Sequence, residues 1–263
     1  MSELFITGLL GLVFGSFISM LSWRLPRIMF HPADEQLKAI SLGGSHCPKC
    51  ESPLAWYQLI PLSSWLVSLG RCQTCKQPIS WRYPLIEISA TALALLAVWQ
   101  FGFNMSGLIG ALFLLWLLTI SVIDLEHHLI LDNLSLPLLW VGLLLNAFGQ
   151  FTDPQQAILG AVFGYGILWL IYQIHFRLTG KHGMGYGDFK LTAALGAWFG
   201  VSALPQIIVV AAISSLVIAV LLIMTRKQAW QSHMAFGPFL AIGGAVQLFA
   251  GEQALIEWLL KFA

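Results

Sequence analysis

The fold class this sequence predicts is an all-α polytopic membrane protein of about eight transmembrane helices, with one small cytoplasmic insert between the first two. Three observations predict it. Apolar residues make up 58% of the 263-residue chain and charged residues only 10%, against roughly 25% charged in soluble domains, and mean hydropathy is +0.80. The apolar residues fall into runs of membrane-crossing length. The charge is unevenly placed: seven of the thirteen Lys and Arg (Arg24, Arg27, Lys38, Lys49, Arg71, Lys76 and Arg82) lie between the first two runs. By the positive-inside rule that segment is cytoplasmic. Formal net charge is +1 with no basic block, so nucleic-acid binding has no electrostatic footprint.

A span needs about 20 apolar residues, somewhat fewer where it fits closely. Eight runs qualify, at residues 4–21, 85–101, 108–123, 134–148, 157–176, 189–204, 207–224 and 236–260. No basic residue precedes the first run, and Arg24 and Arg27 follow it. That is the reverse of a cleaved secretory signal and predicts a retained span with its N-terminus outside. The stretch 189–224 is nearly unbroken and is split near Gly200 to Pro205, on grounds of length. The split also leaves Arg226 and Lys227 on the same side as Arg177 and Lys181. The cytoplasmic segments are then 23–84, 124–132, 177–188 and 225–235. No fixed-period repeat is read from the sequence. The expected division is a first transmembrane helix at 1–22, an insert at 23–84 and a seven-helix membrane domain at 85–263.

All four cysteines sit in the insert, as Cys47-x2-Cys50 and Cys72-x2-Cys75 with 21 residues between the pairs. A cytoplasmic segment is reducing, so metal binding is preferred over disulfides. Four thiolates at this spacing suit tetrahedral zinc in a structural role, since no ligand position is left for a catalytic water. A short insert cannot bury much core, and a metal supplies the missing folding free energy. Between the pairs, residues 54–66 are rich in aromatics and too apolar for a free loop. A membrane-surface anchor and part of a binding surface are both open readings of that stretch. Glu87, about one turn into the second run, needs a partner, with Arg82 and Arg24 in range.

Two carboxylates stand out in a chain poor in acids. Asp188 follows the alternating glycines Gly183, Gly185 and Gly187 and opens the sixth run, and the glycines describe a bent, open loop. Asp124 ends the third run, in a segment that continues through Glu126, His127 and His128 to Asp132. Topology alone brings Asp124 and Asp188 to one membrane depth. If they converge they can share a proton, one oxygen activating water while the other acid polarises a scissile carbonyl. The plainer reading makes Asp124 a helix end in solvent and Asp132 and Asp188 helix N-caps. Lys190 is placed to bias Asp188 or to meet lipid phosphate. Glu126, His127 and His128 fit no standard metal spacing.

In order along the chain, Gly15-Ser16-Phe17, Arg24-Leu25-Pro26-Arg27, both cysteine pairs, Arg82-Tyr83-Pro84-x2-Glu87, Asp124 with Asp132, and Gly185-Tyr186-Gly187-Asp188-Phe189-Lys190 form a recognisable series. The chain resembles the type IV prepilin leader peptidases, membrane aspartic proteases with a G-x-G-D motif. The resemblance implies that Asp124 and Asp188 are catalytic, with Gly185, Gly187 and Lys190 in the catalytic loop. It implies prepilin or pseudopilin substrates, cut on the cytoplasmic side of the bacterial inner membrane after a glycine that follows a short basic leader. Members with the cysteine insert typically then methylate the new N-terminus with S-adenosylmethionine, and Arg82 and Glu87 belong to the part associated with that step. Ser19 stands where the family usually has Asn, and Leu131 where it usually has Pro. Rival readings from the residues are an ion-coupled transporter, and a non-catalytic assembly or anchoring protein with a structural zinc domain.

Overall fold

The computed structural model describes residues 2–29, 44–47, 49–181, 183–225 and 234–251. Lys38, His182, Arg226, Lys227 and the last part of the eighth run, residues 252–260, lie outside the described residues. Among those described there is no strand, and each of the eight apolar runs contains a helix. The chain divides into two compact units, residues 1–119 and 120–263.

In the first unit, α1 (Ser2–Ile28) packs against α3 (Arg82–Phe101), with the insert and its short helix α2 (Ser63–Val67) between them in sequence. The pairing is antiparallel and close. A Cβ on Gly11 would lie 2.7 Å from Thr91 Cα, and one on Gly15 would lie 2.7 Å from Glu87 Cα. Small residues one turn apart let the two backbones touch, which is how helices associate in lipid without a hydrophobic driving force. The seam ends in polar contacts. Arg82 donates to the Ser19 carbonyl at 3.0 Å and to Ser22 Oγ at 2.7 Å. At the other end of α3, Gly102 turns the chain with φ +82°, and Asn104 accepts the Gly107 N–H to start α4 (Met105–His127). The unit division falls inside α4.

The second unit is built on α7 (Tyr186–Phe199), which is buried at every position from Asp188 to Phe199 except Lys190. Around it lie α5 (Asp132–Ala147), α6 (Pro154–Thr179), α8 (Leu204–Met224) and α9 (Gly237–Ala250). A helix apolar on all sides belongs inside a bundle. The α6–α7 seam is again made by small residues. A Cβ on Gly160 or on Gly196 would collide with the other's carbonyl oxygen, and one on Gly164 would lie 2.6 Å from that of Thr192.

The C-terminal end of α7 is tied by Asn146, which is fully buried. Its Nδ2 donates to the carbonyls of Ala197 and Trp198 at 2.8 and 2.9 Å. Its Oδ1 accepts the N–H groups of Phe151 and Thr152 at 3.0 and 3.1 Å. Trp198 Nε1 donates to the Leu138 carbonyl at 2.8 Å. The chain then breaks at Gly200, φ +85°, and α8 follows with Pro205 in its first turn.

Among the described residues, five helices are long and apolar enough to cross a membrane: α1, α3, α4, α6 and α8. The helices of the three remaining apolar runs, α5, α7 and α9, have 16, 14 and 14 described residues, or about 21–24 Å at 1.5 Å per residue. That is less than the roughly 30 Å hydrocarbon thickness. For α7 the reason is physical, because a helix shielded by its neighbours is not required to match the lipid.

Replacing Asn146 by Ala leaves four backbone groups without their partner. It is expected to lower stability by about 2 kcal/mol or more, read as a fall in Tm in detergent. Gly160→Leu should separate α6 from α7 and lower Tm further. An unchanged Tm in both variants contradicts the assignment of these seams.

Candidate active site and metal centre

Asp124 sits in the last turn of α4 and Asp188 in the first turn of α7. Both are buried, at 5% and 7% exposure, and the two carboxylates interact electrostatically. Each also meets a backbone N–H at a helix N-terminus. Gly185 is the N-cap of α7, and its N–H donates to the Asp188 carboxylate from three residues before it. Gly237, the first residue of α9, donates its N–H to Asp124 Oδ2 at 2.9 Å. Helix N-termini carry partial positive charge, so one negative charge on the pair is compensated from two directions. His128, one turn after Asp124, adds a further electrostatic contact.

The glycines act differently from the sequence expectation. None of Gly183, Gly185 and Gly187 has positive φ, so unusual backbone angles are not their use. Gly187 is required for close approach: a Cβ there would lie 2.6 Å from Ile130 Cβ. Gly185 leaves ordinary contact room, its Cβ position being 3.6 Å from Asp188 Oδ2. Gly237 is the residue the sequence reading missed. A Cβ on it would sit 2.7 Å from Asp124 Oδ2 and 3.0 Å from Ile130 Cδ1. Ile130 therefore lies against both Gly187 and Gly237. The available signal was Gly237-Pro238 at the head of the last apolar run, a helix-start pattern.

Neither Asp132 nor Asp188 is an N-cap. The N-cap of α5 is Leu131, and Asp132 is its first helical residue. Lys190 meets Asp132, with Nζ donating to its two oxygens at 2.6 and 2.8 Å, a partner the sequence reading did not name. This exposed pair joins the N-terminal ends of α5 and α7. Tyr172, Tyr186 and Phe189 form a triangle with ring centroids 5.5–5.6 Å apart. Met184 of the glycine loop packs on the same cluster.

In the first unit, Glu87 is buried and its Oε2 accepts the Leu62 N–H at 2.8 Å, with Ser16 as a second donor. Its described partners are thus Leu62 and Ser16, and neither is an arginine. Ser19 is buried against Arg82.

The four cysteines come together, all four Sγ atoms lying within 4.8 Å of one another. Cys47 Sγ and Cys75 Sγ are 3.9 Å apart, and tetrahedral bonds of about 2.3 Å set S···S near 3.8 Å. The two pairs are structural copies offset by 25 residues, a repeat the sequence reading did not find. The N–H of Cys47 donates to Ser52 O and that of Cys72 to Gln77 O, while Glu51 N donates to Cys47 O and Lys76 N to Cys72 O. Glu51 and Lys76 have φ +56° and +57°, and single bridges join His46 to Pro53 and Arg71 to Pro78.

Such turns aim N–H groups at sulfur. Those of Cys75 and Thr74 hold the Cys72 thiol down to about 6. For Cys75 the N–H of Gln77 pulls the same way, but burial and the three neighbouring thiols outweigh it and push the value up to about 11. Four sulfurs this close cannot all ionise without a cation, and the donor set fits a soft or borderline divalent metal.

Residues 9–101 match the model of the bacterial peptidase A24 N-terminal domain, and residues 111–223 match that of the type IV leader peptidase family. The chain is 40% identical to the prepilin leader peptidase/N-methyltransferase of Stutzerimonas stutzeri, over 95% of this chain and 91% of that one. It is 40% identical to the protein of the same name from Pseudomonas aeruginosa, over 98% and 93%. The corresponding values for Pectobacterium carotovorum are 43%, 90% and 89%. No solved structure matches.

Metal analysis of protein purified without chelator should give one ion per chain. Cobalt loading should produce the visible thiolate absorption of a four-sulfur site. Cys72→Ser should lower both sharply, and retention of full metal content would contradict a four-cysteine centre.

Proposed function

This chain belongs to the type IV leader peptidase family, and we propose that it is a bacterial inner-membrane aspartic endopeptidase. It removes the basic leader of type IV prepilins or type II secretion pseudopilins after a glycine, then N-methylates the new N-terminal residue. The observation that carries the peptidase reading is the buried, interacting pair Asp124 and Asp188, each held by a backbone N–H. The names of the relatives support the second activity. The transporter and anchoring readings explain neither the convergence of the two acids nor those names.

In the working state one carboxylate is ionised and the other protonated. Two carboxyls in coulombic contact in a dry site disfavour double ionisation. The ionised one takes a proton from water, whose oxygen attacks the carbonyl carbon of the scissile peptide. The protonated one gives its proton to the carbonyl oxygen. Collapse of the tetrahedral diol breaks the C–N bond and protonates the leaving amine, restoring the shared proton. The Gly185 and Gly237 N–H groups hold one oxygen of each carboxylate in place, leaving the others for water and substrate. Gly187 keeps the loop close to Ile130, and the Lys190–Asp132 pair fixes the register of α7 against α5.

S-adenosylmethionine supplies an electrophilic methyl group for the second step. Arg82 and Glu87 serve that step as positioning residues, by joining α1, α3 and the insert through Ser19, Ser22 and Leu62. Zinc in the Cys47, Cys50, Cys72, Cys75 site is structural, since all four ligand positions are filled by protein. The N-terminus lies outside, and the insert (within 23–84) and both aspartates face the cytoplasm, as the charge distribution supports.

Purified protein is incubated in detergent with a prepilin and S-adenosylmethionine, and the product is weighed. Loss of the leader plus one methyl mass is expected for the wild type. Asp124→Asn and Asp188→Asn should each lose cleavage by about 10³-fold or more, and substantial cleavage by either would sink the dyad. The pH profile of kcat/KM should be bell-shaped. Activity falls at low pH as both carboxyls become protonated and at high pH as both ionise. Gly237→Ala displaces Asp124 and should cost about 10–100-fold in kcat, while leaving Tm near that of the wild type.

A further inference from the structure

The stretch from Leu59 to Leu69 takes part in neither the carboxylate pair nor the cysteine cluster, yet it carries large exposed apolar side chains. Leu66, Val67 and Leu69 are 62%, 81% and 84% exposed. Its depth relative to the membrane is set by α3. That helix has 20 residues, about 30 Å, the thickness of the hydrocarbon core, so Arg82 marks one boundary. The neighbouring α1 passes the same level at Ser22 and continues with Trp23, over whose ring the Arg27 guanidinium lies at 4.0 Å. Aromatic and basic residues together are the mark of the headgroup layer.

Two contacts draw the stretch to that level and below it. Glu87 lies five residues into α3, about 7 Å deeper than Arg82, and its carboxylate holds the Leu62 N–H at 2.8 Å. Leu62 has φ +55°, a conformation a leucine adopts only when held. Trp65 then packs on Trp81, ring centroids 4.2 Å apart. Through this contact α2 meets the exposed apolar stripe that begins at Trp81, the N-cap of α3, and runs along the helix through Leu85, Ile88, Leu96 and Trp99. A stripe along a membrane-spanning helix faces lipid.

Beside Val67 and Leu69, a depression of about 450 Å³ is lined by Arg71, Cys72 and Lys76. Apolar side chains flanked by basic ones are the pattern of elements that lie in the membrane interface.

We propose that residues 59–69 are an interfacial membrane anchor, with Leu66, Val67 and Leu69 in the boundary between headgroups and acyl chains, and Arg71 and Lys76 on the phosphate of an anionic phospholipid. The occupant is the bilayer because the depth imposed by Glu87 and the continuity with the α3 stripe both place this face where lipid is. The consequence is that the first cysteine turn and the second are held at a fixed height over the membrane surface.

The test places the photoreactive residue p-benzoylphenylalanine at position 67 or 69 of the full chain, in nanodiscs of equal parts phosphatidylglycerol and phosphatidylcholine. Position 216, on the exposed face of α8, serves as the lipid-facing reference. Adducts are identified by mass, with and without added prepilin. Phospholipid adducts at both positions, at yields comparable to position 216, are expected. Phosphatidylglycerol should be favoured by about fivefold or more, and an Arg71→Gln/Lys76→Gln variant should lose that preference. Lipid adducts at 216 but none at 67 and 69 would overturn the anchor, and so would adducts only to the prepilin. Equal labelling by the two lipids in the unsubstituted background would overturn the headgroup assignment.

Discussion

The close seam between α6 and α7 is the constraint on which the second unit depends. Gly160, Gly164 and Gly196 bring the two backbones into contact, and Asn146 ties off the far end of α7 with two hydrogen bonds while accepting two more from the turn at Phe151 and Thr152. A helix held along its length and at its end cannot rotate or slide. The carboxylate in its first turn is therefore delivered to one place. Packing in lipid gains little from burying apolar surface, so specificity falls to contacts that only small residues permit.

That rigidity makes a buried pair of acids tolerable. A carboxylate in a dry site is costly unless it is protonated, paired or hydrogen-bonded. Here Asp124 and Asp188 lie in electrostatic contact with each other and are met by the N–H groups of Gly237 and Gly185. The exposed Lys190–Asp132 pair contributes about 0–1 kcal/mol to stability by itself. Its value lies in register, since it links the starts of α5 and α7 beside the acids.

The first unit solves a similar problem with the same materials. Gly11 and Gly15 bring α1 against α3, and Glu87 reaches from that seam to the backbone of the insert. Two copies of one cysteine turn, 25 residues apart, converge on a single four-sulfur site. Their likeness is written as Cys-x2-Cys-x2-Pro at 47–53 and 72–78, and because the turn geometry is set by backbone hydrogen bonds, Glu51 and Lys76 serve equally well between those positions.

Composition and charge by themselves determined the all-helical membrane class, the position of the insert, the cysteine quartet and the candidacy of Asp124 and Asp188. Those properties depend on residue type, spacing and side of the membrane, all of which are written linearly. Only the tertiary structure decided which groups meet those acids. The partner of Asp124 is the N–H of Gly237, 113 residues away, and a backbone donor leaves no side-chain signature. The same reason hid the Glu87–Leu62 contact, whereas Lys190 and Asp132 pair through their side chains across 58 residues of sequence, a distance that only the packing of α7 beside α5 closes. The glycines before Asp188 were legible as important but not as to why. Whether glycine is needed for its angles or for the space beside it depends on the neighbour, and the neighbour, Ile130, is supplied by another helix connection.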